Sequence, residues 1–113
     1  MKEQYSLTFK KQAIPGGGIF YIATTSNQEW SELAAHLTYS DSIETQGQID
    51  AIVRLVERYN NGLLVNTFWG EVMGSFLEIY PANNTVEIGE EGTIISIPAF
   101  KEILQEWLAF IGD

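Results

Sequence analysis

Between Pro98 and Gly112 the chain sets Phe100, Ile103, Leu104, Trp107, Leu108 and Ile111 at positions i, i+3, i+4, i+7, i+8 and i+11. An apolar stripe that wide belongs to a helix with one buried face. Pro98 suits its first turn and Gly112 ends it. Such a helix cannot stand alone in water, so the other residues must supply a surface for it.

From Leu63 to Ile97 the period is that of strands. Leu63–Trp69 is β-rich, and Gly70–Gly74 reads as a turn or bulge. Phe76–Tyr80 and Thr85–Gly89 flank Pro81-Ala82-Asn83-Asn84, a loop in which Asn can take positive φ. Thr93–Ile97 follows as a further strand.

The first half opens with Tyr5–Phe9, which alternates apolar and polar. A loop around Pro15 and Gly16-Gly17-Gly18 then leads to the β-rich run Ile19–Ala23. Ser26-Asn27-Gln28-Glu29 has the form of a capping box for a helix with Trp30, Leu33, Ala34 and Leu37 on one side. A polar stretch, Tyr39–Glu44, separates it from a second helix capped near Thr45-Gln46-Gly47-Gln48. Ile49, Ile52, Val53, Val56 and Tyr59 form the stripe of that helix, and Asn60-Asn61-Gly62 stops it.

The order β-β-α-α-β-β-β-β-α predicts one α+β domain over residues 1–113. Its expected form is a mostly antiparallel sheet of about five to six strands, with two central helices and a C-terminal helix packed on it. At 113 residues the chain can bury a core without staples.

There are no cysteines, which excludes disulfides and thiolate chemistry. The N-terminal MKEQYSLTFKK lacks the apolar run of a signal peptide, and no stretch has the length of a membrane span. The expectation is a cytoplasmic protein with no membrane partner.

Net charge is −9, unevenly spread. Residues 1–62 carry five basic and seven acidic side chains, whereas residues 63–113 carry Lys101 against eight acidic ones. Direct nucleic-acid binding by phosphate neutralisation requires the opposite sign. An acidic field attracts basic protein surfaces, although acidity also serves solubility alone.

Glu71, Glu78, Glu87, Glu90 and Glu91 concentrate this charge. With Leu77/Ile79 and Val86/Ile88 turned to the core, strand phase sends Glu78 and Glu87 to the same outer face of one hairpin. Two close carboxylates could serve glycoside hydrolysis or hold a hard cation. No catalytic or metal-ligand companions accompany them, so no catalytic residue, metal or cofactor is assigned. Aromatics beside carboxylates suit an Arg- or Lys-bearing partner, with Tyr80 as anchor and Phe76 and Trp69 nearby. The triple glycine lacks the context of a phosphate loop. His36, the one histidine, lies beside Leu37 in the first helix and reads as structural, although triad partners need not be close in sequence.

The run SFLEIYPANNTVEIGEEGTIISIPAFKEILQEWLAFI resembles small bacterial immunity proteins of contact-dependent growth inhibition and related polymorphic toxin systems. The resemblance is in a short acidic sheet followed by an Ile-Pro helix with Trp and Phe near its end. It implies a non-enzymatic protein that binds a cognate toxin, a nuclease in many such systems, through an acidic surface. The binding residues Glu71, Glu78, Tyr80, Glu87, Glu90 and Glu91 come from charge and strand phase. An acidic inhibitor or DNA mimic of phage or plasmid origin fits the same charge, and a small glutamate-dependent hydrolase remains a third reading.

Overall fold

The alternating segment folds as a four-stranded antiparallel meander in chain order, β3 (Phe68–Val72), β4 (Ser75–Tyr80), β5 (Thr85–Ile88) and β6 (Thr93–Ser96). This computed structural model describes residues 1–112. Leu77 pairs with Ile88, Ile79 with Val86, and Val86 with Ile95, so five apolar side chains share one fully buried face. That face is covered by α3 (Ile97–Ile111), where Ser96 Oγ caps the Ala99 amide at 3.3 Å and Pro98 occupies the first turn. Phe100, Ile103, Leu104 and Trp107 are wholly buried, while Leu108 and Ile111 lie half-buried at the margin of the stripe.

The architecture is α+β, but the strands form two sheets rather than one. β1 (Leu7–Ala13) and β2 (Ile19–Thr25) make a separate antiparallel hairpin. The helix that follows occupies part of the edge where β2 would otherwise continue the sheet. Thr38, on α1 (Ser31–Tyr39), accepts from the Ala23 amide at 2.9 Å, and its hydroxyl lies 3.2 Å from the Ala23 carbonyl. With those backbone groups satisfied, no strand pairs there. The hairpin instead packs through Phe9 and Tyr21 on α3, with Phe9 edge-on to Trp107 at 5.0 Å and Tyr21 edge-on to Phe110 at 5.9 Å.

Helix starts also differ from expectation. Asn27, rather than Ser26, caps, and what it caps is a short 3-10 turn at Gln28–Trp30. The Ser26 amide donates to the Ser6 carbonyl and so extends the hairpin ladder. The second helix, α2 (Ser42–Asn60), begins earlier than Thr45 because Asp41 and Glu44 form a reciprocal capping box. Most of the supposed spacer is therefore helical, and Thr45 and Gln48 are buried inside α2 instead of capping it. Its end at Asn60, with Gly62 at φ 73°, is as the stop signal predicts. β3 is shorter than the apolar run because its pairing starts at Phe68, with a bulge between Phe68 and Gly70.

Candidate functional site: an uncovered acidic sheet face

Directly paired residues in antiparallel strands lie on the same side of the sheet. The pairs Glu71↔Phe76, Phe68↔Glu78, Glu78↔Glu87, Tyr80↔Thr85 and Glu87↔Ile94 thus define the face opposite the helices. Its apolar members are exposed: Phe68 is 49% accessible, Phe76 42% and Ile94 60%. The Phe68 and Phe76 rings sit 6.3 Å apart. Isolated apolar residues are ordinary on a surface; Phe68 and Phe76 adjoin on β3 and β4, whereas Ile94 lies on the opposite edge strand, across the Glu78–Glu87 pair.

Glu78 and Glu87 are cross-strand partners, an arrangement that repels when nothing intervenes. Tyr80 intervenes. Its hydroxyl donates to Glu78 Oε2 at 2.8 Å and lies 3.4 Å from Glu87 Oε2. Thr67 Oγ1 donates to the same Glu78 oxygen at 3.1 Å. The hydrogen bond to Glu78, with burial and the neighbouring negative charges, pushes the Tyr80 phenol up to about 12. Tyr80 is therefore a neutral donor across the physiological range, tying the two carboxylates into one anionic group.

Charge on this sheet is of one sign. Residues 68–96 contain five glutamates and no Lys or Arg. Among the described residues no three His, Asp or Glu side chains form a set that could hold a metal. The face is open, and none of its glutamates lines the groove of about 850 Å³ between α2 and α3, which Ile52, Val56, Pro98 and Lys101 border.

The structure gathers some of the expected residues and separates others. Glu78, Tyr80 and Glu87 meet, and Glu71 shares their face beside Phe76. Glu90 and Glu91 do not join them. They occupy the β5–β6 turn, which is fastened to α1 by Glu32: its carboxylate accepts from the Glu91 amide at 3.1 Å and from Thr93 Oγ1 at 2.8 Å. The same carboxylate lies against Gly89, at φ +78°, where a side chain would collide with it.

Phe68, Ile94 and Thr67 belong to the face although charge alone did not single them out. Strand phase signals Ile94, since it alternates with the buried Ile95. Phe68 had no such signal, because the bulge after it breaks the phase. His36 is wholly buried, with both ring nitrogens hydrogen-bonded, and burial lowers its pKa against the opposing effect of Gln48.

Among the described residues no helix is long and apolar enough to cross a membrane. Comparison with protein-family models, with curated proteins and with solved structures yields no match for this chain.

Proposed function

We propose that this chain is a binding protein that neutralises a cognate bacterial toxin domain, its uncovered sheet face docking on a basic surface of the toxin. One observation carries the reading. A sheet covered by helices on one side exposes on the other the adjoining rings of Phe68 and Phe76 beside the Glu78–Tyr80–Glu87 group, with Glu71 alongside and Ile94 on the far edge strand. Apolar contacts of this kind supply affinity at the centre of an interface, and an unbalanced charge around them supplies rate and specificity. A nuclease fits best as the toxin, because a cleft built for phosphate is basic and an acidic face competes with the substrate for it. The likeness of residues 75–111 to immunity proteins supports the same reading.

The test is coexpression with the toxin domain encoded next to this gene, reading cell survival and complex formation. Absence of both rescue and binding would sink the proposal. The face is tested separately with the double variant Glu78→Lys/Glu87→Lys. Its association rate is expected to fall by about tenfold or more at low salt and to lose most of its ionic-strength dependence. An unchanged rate would mean that another surface makes the contact. Recovery of a basic DNA-binding host protein, displaced by DNA, would favour the DNA-mimic reading instead.

A further inference from the structure

A second arrangement lies at the other side of the same sheet, where the β3–β4 and β5–β6 turns meet α1. A notch of about 250 Å³ opens there, bordered by Glu32, Tyr39, Gly74, Ser75, Glu90 and Glu91. Behind Ser75 runs a chain of buried polar groups whose donor and acceptor roles follow one from the next.

The chain starts at the His36 carbonyl, which can only accept, so Ser40 Oγ donates to it at 2.8 Å. With its proton committed, Ser40 Oγ accepts from Gln48 Nε2 at 3.1 Å. The Gln48 amide is thereby oriented, and its Oε1 faces His36 Nε2 at 2.7 Å. An amide oxygen only accepts, so Nε2 carries the imidazole proton and Nδ1 holds a lone pair. That lone pair points at Ser75 Oγ, 2.8 Å away, and the serine must be the donor. Ser40 is itself held in place, its carbonyl accepting from Trp107 Nε1 at 3.0 Å.

We propose that Ser75 is a nucleophile, with His36 as its base and Gln48 as the positioning residue that sets the imidazole tautomer, and that the notch admits small uncharged or cationic carboxylic esters. The order nucleophile, imidazole, amide is a recurrent form of the triad. Its burial is graded in the useful direction. His36 and Gln48 are wholly buried, whereas Ser75 is partly accessible and borders the notch. Burial keeps the imidazole neutral, so its lone pair is free to take a proton. The rim formed by Glu32, Glu90 and Glu91 disfavours anionic esters.

The step balances without a further reactant. Ser75 Oγ bonds to the acyl carbon as its proton passes to His36 Nδ1. The ester C–O bond then breaks and the departing alkoxide takes that proton. Water attacks the acyl-serine next, returning a proton through His36 to Ser75 and releasing the carboxylic acid.

The experiment uses the full chain and an uncharged alkyl fluorophosphonate, which traps a nucleophilic serine as Oγ bonds to phosphorus and fluoride leaves. The expected result is one adduct, mapped to Ser75 by mass spectrometry, forming on the order of 100-fold faster than in the denatured chain. Ser75→Ala, a change at a hairpin turn, should abolish the adduct while leaving the circular dichroism spectrum unchanged. Gln48→Glu, which sets a carboxylate against Nε2, should raise the midpoint of the labelling–pH profile by about one unit or more. A midpoint that does not move with this added charge would mean that His36 is not the base for Ser75. A folded protein that gives no adduct on Ser75, or labels no faster than the denatured chain, overturns the proposal.

Discussion

Tyr80 carries a phenol whose proton is held by two carboxylates, and this makes it a reporter for the whole face. Its folded-state value near 12 stands above the ordinary 10, so the fold favours the protonated form. The resulting stabilisation is fully present below pH 10 and is lost as pH rises from 10 through 12. In an ultraviolet titration of tyrosinate, Tyr80→Phe should remove the step near pH 12 and leave the steps of the other tyrosines in place. A step near 12 that survives the substitution would mean that another residue produces it. Alternation was enough to bring Glu78 and Glu87 to one face and to pair them across the hairpin. The role of Tyr80 was harder to read, because reaching both carboxylates depends on its rotamer and on sheet twist. Ser75 and His36, 39 positions apart, had no sequence signal at all: they meet only through the packing of α1 against the end of β4.

At the scale of elements, strong periodicity and stop residues were legible, and helix starts were not. The stripe from Phe100 to Trp107 and the stop at Asn60-Asn61-Gly62 both describe what the backbone does, because each is a local demand that packing only reinforces. Two capping signals competed for the first two helices. Ser26–Glu29 has the right letters, but the Ser26 amide serves the hairpin ladder, a contact made by residues far back in the chain. Asp41 and Glu44 have the same spacing inside a stretch that reads as a polar spacer, and they form the complete box. Asp41→Ala should therefore cost about 1 kcal/mol in urea unfolding, the usual effect of losing an N-cap. Gln46→Ala, also exposed in α2 but outside the box, is the control. Equal midpoints for the two variants would remove the box from the account.

Over the whole molecule, the division into two sheets is what local reasoning missed. Strand phase says which residues face inward but not which strands are neighbours, and here Thr38 of α1 takes the backbone groups of β2 that a neighbouring strand would need. The result is elongated, 51 × 27 × 24 Å, with charge sorted along the chain. Residues 4–28, which include the whole of the first hairpin, contain Lys10 and Lys11 and no acidic residue, whereas residues 68–96 contain only acidic charge. On the proposed function, the field of a basic toxin surface would draw the glutamate face forward before contact. The first hairpin has a practical use as well. At its tip Gly16 and Gly17 are left-handed, and a side chain built at either would meet nothing within 4 Å. A short epitope spliced between them should leave the urea midpoint of the parent unchanged, giving the protein an attachment point for surface immobilisation that spares both chain ends and the sheet face.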